Sequence, residues 1–231
     1  MIKVSDGCHL WSGAEAEFKR SIELNPGYAV GHGYYAALLS VMGKYQEAVA
    51  EAERALALDP LSPLMGATNG LRYYYARDYG RSIDVMQKTL EMAPHFAPGY
   101  WMIALPLAAA GKIDEAVKVV EKTLELVSER DPISLAICGV IYALSPDKKN
   151  EARQVIKQML ELSKKRQISS FFMGMIFIGL DEKDQVFEWF EKAFQEREPL
   201  LMWARPEPIV QDGLQSDPRY KELLLKMGLD D

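Results

Sequence analysis

The chain is predicted to be an all-α solenoid, a stack of antiparallel helix hairpins. Three observations carry this. Pro26, Pro60 and Pro94 recur every 34 residues, as do Trp11, Tyr45, Tyr79 and Ile113, and Ala14, Ala48, Ser82 and Ala116. Each period holds two stretches with apolar residues at helical spacing. The separators are helix-ending positions: Gly43, Arg77 and Gly111 form one column and the prolines another. A period of this length marks a repeat array, whose units cannot bury their apolar faces alone and stack on their neighbours to form a core.

The hairpins follow in order. The first recognisable helix spans Gly13 to Leu24. The residues before it, MIKVSDGCHLWS, contain Ser-Asp-Gly and suggest an irregular or short extended segment, so the first hairpin lacks its first helix. Phe18 and Ile22 would bury one side of this helix against the next repeat. The other side needs a cover, either the segment Met1 to Trp11 or a second copy of the chain.

The next hairpin pairs a helix from about Val30 to Met42, ended by a left-handed Gly43, with one from about Tyr45 to Leu58. The stretch GKYQEAVAEAERALALDP shows the plan of every second helix. Ala48, Ala52, Ala55 and Leu56 make one stripe, with Glu47, Glu51, Glu53 and Arg54 between them. Small residues on the inner stripe imply close packing, and Pro60 cannot continue the helix.

Repeats beginning at Pro63 and near Ala97 keep this plan. The second of these ends in Ser128 where a proline is expected, and it carries Pro106 inside YWMIALPLAAAG. That proline frees the Met102 carbonyl and is expected to be a tolerated irregularity in a packed array. From Ala116 to Ala152 the step lengthens to 36, and LELVSERDPIS and ALSPDKKNEA can each hold extra residues; Val186 restores the 34-residue step. Repeats near Ile133 and Gln167 are more divergent. At the end, Asp217 N-caps a helix with Pro218 at its first position and Gly228 closing it. Tyr220, Leu223, Leu224 and Met227 of that helix cover the last hairpin. The organisation is a single domain over 1–231, with an incomplete first repeat at 13–28, repeats over 29–196 and a cap over 197–231.

The 34-residue period, the turn Gly-Lys-Tyr-Gln-Glu-Ala at 43–48 and the ending Ala-Leu-Ala-Leu-Asp-Pro at 55–60 resemble the tetratricopeptide repeat (TPR). Gly70, Tyr73, Tyr79, Ser82, Met86, Thr89 and Pro94 match the same pattern in the repeat starting at Pro63. The resemblance covers about residues 14–196. It implies a right-handed superhelix of five to six repeats, the first incomplete, with a C-terminal capping helix. The closing segment is similar to the C-terminal end of TPR regions in multidomain bacterial regulators. The sequence shows none of the winged-helix, cyclase or kinase domains those carry upstream, so this likeness implies a sensory or scaffold region.

The resemblance also implies where a ligand lies: in the concave groove lined by the first helix of each repeat. Carried onto this chain, the partner-binding groove is Leu71, Tyr74, Tyr75, Trp101, Leu105, Phe171 and Met175. The lysine, asparagine and arginine clamp with which some TPR domains hold acidic C-termini is absent, because Gly33 and Ala37 occupy two of its positions. An apolar groove suits an amphipathic helix or extended apolar segment. The expected function is a protein-interaction scaffold. The alternatives are homo-oligomerisation, as a dimer through the groove or an N-terminal edge of Trp11, Phe18 and Ile22, and sensing of a small apolar ligand near Trp101 and Tyr74.

Composition narrows the field. With 48% hydrophobic and 26% charged residues the chain is globular. A net charge of −6 argues against nucleic acid as the partner. The apolar run ISSFFMGMIFIGL is too short for a membrane span, and Cys8 and Cys138 give no disulfide framework; a cytoplasmic setting is expected. Nothing points to an enzyme, a metal or a cofactor. His9, His32 and His95 lack metal-ligand spacing. The Gly-Lys pairs at 43–44 and 111–112 are repeat turns without the rest of a phosphate loop. Glu121, Glu125 and Glu129 form a solvated face.

Overall fold

The computed structural model describes residues 4–126 and 131–229, with side chains from Trp11 onward. A lone helix, α1 (Val4–Leu24), is followed by five hairpins. These are α2 (Ala29–Val41) with α3 (Tyr45–Leu58), α4 (Pro63–Tyr75) with α5 (Tyr79–Met92), and α6 (Ala97–Ala109) with α7 (Ile113–Leu126). The last two are α8 (Pro132–Leu144) with α9 (Lys149–Ser163), and α10 (Ser170–Gly179) with α11 (Lys183–Gln195). A 3-10 segment, Pro199–Ala204, leads into α12 (Pro208–Leu214) and α13 (Pro218–Met227), and no strand occurs among the described residues. Each second helix packs on its own first helix and on the first helix of the next hairpin, while α2, α4, α6, α8 and α10 lie side by side as an inner wall. This is the all-α solenoid that the repeat period predicts.

The small-residue stripe does what its composition implies. Ala48 and Ser82 are 0% exposed and Ala52 is 3%. Opposite the second helices stand glycines on the first. A Cβ on Gly70 would lie 2.5 Å from Met86 Cγ, and one on Gly174 would lie 2.4 Å from Phe190 Cε1. Ser82 Oγ donates to the Gly70 carbonyl at 2.7 Å, so the contact is side chain against backbone. The turn column is equally physical. Gly43 (φ 76°) and Gly111 (φ 78°) are left-handed, and Arg77 (φ 62°) and Asp181 (φ 60°) adopt the same conformation without being glycine.

Three details depart from the sequence reading or sharpen it. Helix α1 begins at Val4, so Ser5-Asp6-Gly7 continues a helix and does not form an irregular lead. A single interior glycine costs only about 1 kcal/mol, and tertiary contact from Trp11 onward offsets that. The two extra residues divide between both candidate connections. Asp131 caps α8 by accepting from Ser134 N, one residue later than the period requires after Ser62 caps α4. The 3-10 turn Pro146–Lys148 supplies the other. Helix α6 runs through Pro106, which is buried.

The two ends of the array meet. Trp11 Nε1 donates to the Met227 carbonyl at 3.1 Å, joining α1 to α13 across 216 positions. Asp217 caps α13 as expected, Gly228 closes it at φ 67°, and Tyr220 and Leu223 are buried. Ion pairs Arg219–Asp184 and Lys226–Glu191, both 2.8 Å, tie α13 to α11. On the inner side of α1, Phe18 stacks on Tyr35 with ring centroids 6.3 Å apart, and Ile22 joins the same apolar cluster.

Glycine at 174 is therefore a packing requirement. Gly174→Ala should lower stability by about 1–3 kcal/mol in urea unfolding through overpacking against Phe190. Gly80→Ala, on an exposed turn of α5 with nothing closer than 4.0 Å, should instead be neutral or stabilise by up to about 1 kcal/mol.

Candidate functional site

The inner wall is built from helix faces that change character along their length. Residues three and four apart share a face, so Val30, Tyr34 and Ala37 lead to Val41, and Leu64, Thr68 and Leu71 lead to Tyr75. Each face begins open: Tyr34 is 63% exposed and Leu64 48%. Pro98 is also exposed and Trp101 half-buried. Toward the helix ends the wall disappears from view. Leu71, Tyr74, Tyr75 and Leu105 are buried, as are Phe171 and Met175 on α10. The sequence reading expects all seven groove residues to be available to a partner; the structure leaves only Trp101 partly so.

Phe171 is buried against Phe190 of its own hairpin, and Tyr74 and Tyr75 lie under a later segment of the chain. Glu198 starts the crossing at the first turn of α10, accepting from Ser170 N at 2.8 Å, from Phe171 N at 3.3 Å and from Ser169 Oγ. Backbone N–H groups at a helix start favour this carboxylate. Trp203 then stacks on Tyr75 with centroids 5.3 Å apart and planes 18° from parallel. Arg205 donates to the Val41 carbonyl at 2.9 Å, and its guanidinium fills the space a Cβ on Gly43 would take. Glu207 accepts from Tyr74 Oη. Beyond it, Arg77 reaches Asp212 at 2.7 Å and Gln211 at 2.9 Å. The left-handed Arg77 thus carries a clasp that glycine in the same column could not supply. A cleft of about 500 Å³ remains beside α12, with Ala108, Ala109, Ala143 and Ile178 among its walls and Ile209 and Gly213 from α12.

Two buried ionisable groups meet at this crossing, Arg72 beneath the segment and Glu207 within it, and they do not pair with each other. Arg72 is 4% exposed, and its guanidinium lies 5.2 Å from the Tyr75 ring and 5.3 Å from that of Trp203. Burial lowers its pKa from the usual arginine value. Desolvated cation–π contacts return about 2 kcal/mol or more, but its Nε has no hydrogen-bond partner. Glu207 is 3% exposed. Burial pushes its carboxyl up to about 7, against the opposing effects of the Tyr74 hydroxyl, the Ile209 N–H and the Arg77 charge. The Tyr74 hydroxyl is in turn raised well above its ordinary value, first by burial and then by Glu207.

The residues that define this site were not among the sequence candidates. Arg72, Trp203, Glu207 and Asp212 carry the crossing, and the signal for them was weak but present. Pro206 and Pro208 flank Glu207, which marks a rigid non-helical stretch in what had looked like a simple cap. At the other proposed edge, Trp11 is already bonded to Met227, and Phe18 and Ile22 are half-buried against α2.

Other chemistry finds no assembled site among the described residues. Groups of three or more His, Cys, Asp or Glu placed to hold a metal are absent there. His32 lies between Glu51 Oε2 at 2.6 Å and the Pro26 carbonyl at 3.0 Å, pinning the α1–α2 connection to α3. Cys138 is buried and its thiol pushed up to about 12 by desolvation, so it carries no reactive thiolate. The side chains of Cys8 and His9 lie outside the described residues. No helix among the described residues is long and apolar enough to cross a membrane.

No family model matches the chain. No curated protein matches it either. Solved structures do. The APC/C hetero-tetramer Cut9–Hcn1 matches with a TM-score of 0.62 at 15% identity, covering 94% of this chain and 47% of that chain. Yeast Tom70 matches with a TM-score of 0.56 at 15% identity, over 90% and 45%. Pseudomonas aeruginosa PilF matches with a TM-score of 0.51 at 16% identity, over 87% and 93%. The fold is a TPR solenoid. At these identities the likeness is one of architecture.

The raised Glu207 has a definite pH consequence. The folded state holds its proton more tightly than the unfolded chain, so stability is full below about 4.5 and is lost as pH rises through about 7. Glu15 acts in a different window. Its bonds to Lys19 and Lys44 hold it down at about 2, so it changes stability only under acid conditions. Glu207→Gln keeps an acceptor for Tyr74 and removes the charge. Urea unfolding from pH 4.5 to 8 should show the wild type losing up to roughly 3 kcal/mol relative to the variant, with parallel curves above about pH 8.

Proposed function

We propose that the chain is a protein-interaction scaffold that holds an apolar or amphipathic peptide segment across the open part of its concave wall. One observation carries this reading. Tyr34, Leu64 and Pro98 stand exposed and Trp101 half-buried near the starts of three consecutive first helices, while the same faces are buried further along. The wall is fixed by packing before any partner arrives, so docking orders few protein side chains. Burying one large apolar side chain contributes roughly 1.5–3 kcal/mol, which for three anchors suits a reversible partner. The partner is a protein or peptide, since the net charge of −6 disfavours nucleic acid. We place the chain in the cytoplasm, on its composition and its buried free Cys138.

Tyr74 is unsuited to testing this, being 0% exposed. Tyr34→Ala with Leu64→Ala removes two open anchors whose loss the fold tolerates. In quantitative pull-downs from the native cell, partners held by the wild type should fall by about tenfold or more with this variant. A convex-face control, Lys118→Ala with Lys157→Ala, should retain them. Equal capture by the anchor variant, with helicity and melting unchanged, would move the site off the open wall.

A further inference from the structure

The segment that crosses the wall answers nearly every polar group beneath it. Glu207 accepts from Tyr74, and Asp212 accepts from Arg77. Glu198 accepts from the start of α10. Arg72 is not answered; on the same helix the buried Oδ1 of Asn69 also has no hydrogen-bond partner. Over this buried guanidinium the segment places an indole, which has an N–H and no acceptor. Its Nε is left unbonded, and among the described residues no carboxylate pairs with it. An unpaired buried charge is costly, and the natural complement of a guanidinium is a carboxylate, which can meet it through two parallel hydrogen bonds. The outer clasp is open to solvent. Arg77 grips Asp212 through two hydrogen bonds, at 2.7 and 3.1 Å, but the side chains are 43% and 57% exposed, so salt screens the pair.

We propose that the floor beneath residues 199–204, centred on Arg72 and Tyr75, is a recognition site for an acidic peptide segment of a partner protein. Residues 199–214 are its resident competitor. Tethering gives the resident a high effective concentration, so a competitor succeeds through a contact the resident lacks, and a carboxylate on Arg72 is that contact. The acidic groups the resident already presents to Tyr74 and Arg77 show the chemistry the rest of the floor accepts. This site lies in the covered part of the wall and stands independently of the open anchors Tyr34 and Leu64, so the two readings fail separately.

The test uses the full chain carrying Trp203→Ala, which uncovers the guanidinium. The probes are fluorescein-labelled synthetic copies of residues 199–214 carrying Trp203→Glu or its neutral twin Trp203→Gln. Fluorescence anisotropy should show the glutamate probe binding at least about tenfold tighter, and Arg72→Gln in the receiving chain should bring the ratio to about one. Equal binding of both probes, or binding of neither by a folded chain, overturns the proposal. Tighter binding of the unmodified copy than of the glutamate probe also overturns it, marking the floor as a dock for a second copy of this chain. Should Trp203→Ala prevent folding, Asp212→Asn loosens only the exposed clasp and receives the same probes, with the same outcomes deciding.

Discussion

The structure depends on how closely one helix can approach another. Second helices bring small residues such as Ser82 or set a larger one, Met86 or Phe190, against a glycine of the first helix, so that Ser82 bonds the Gly70 backbone and Phe190 rests where a Cβ on Gly174 would be. Dense contact of this kind is where dispersion and burial are gained. It also fixes the spacing between successive first helices and thereby builds a continuous inner wall. The wall is a by-product of packing at the back of each hairpin, and its apolar character exceeds what the hairpins need for their own stability.

A wall with that surplus has to be covered or used. Here the larger part is covered by the chain's own residues 198–214, and the ends of the array are drawn together by the Trp11–Met227 bond. The cover carries buried polar groups, which brings desolvation into an otherwise apolar interior. Glu207 shows the cost as a carboxyl driven up to about 7 even with a hydroxyl donor beside it. A core built for stability alone would place an apolar residue there. The polar groups specify where the segment lies, and they make its hold depend on proton concentration in a range close to neutrality.

The fold was legible because periodicity survives substitution. Four columns in register at 34 residues identify hairpins even where single positions diverge, and Asp217, Pro218 and Gly228 identify the last helix by local chemistry alone. The site was only half legible. Helical spacing named the inner face of each first helix correctly as a face, yet it says nothing of what lies upon it. Tyr74 and Glu207 are 133 positions apart, and no local rule links them. The same holds for Arg77: its place in the turn column could be read from the period, while the reason for arginine there became visible only with Asp212 opposite. The start of α1 was misread because Ser-Asp-Gly has a strong local preference for turns, which a helix anchored by tertiary contact overrides.

Arg72, beneath the covering segment, and Glu207, within it, are of opposite charge and both nearly inaccessible, but they remain unpaired. Had they met, the segment would be locked by a buried ion pair whose disruption strands both charges at several kcal/mol. Glu207 instead spends its acceptor on Tyr74, a neutral donor that it can hold in either protonation state. Arg72 is met by two ring faces, which attract it without engaging its N–H groups. Each arrangement is satisfied enough to persist and leaves a better partner conceivable for the cation. The ion pair the segment does make, Arg77 with Asp212, lies at the exposed edge, so its departure would break no buried ion pair, and this is the property a displaceable cover requires.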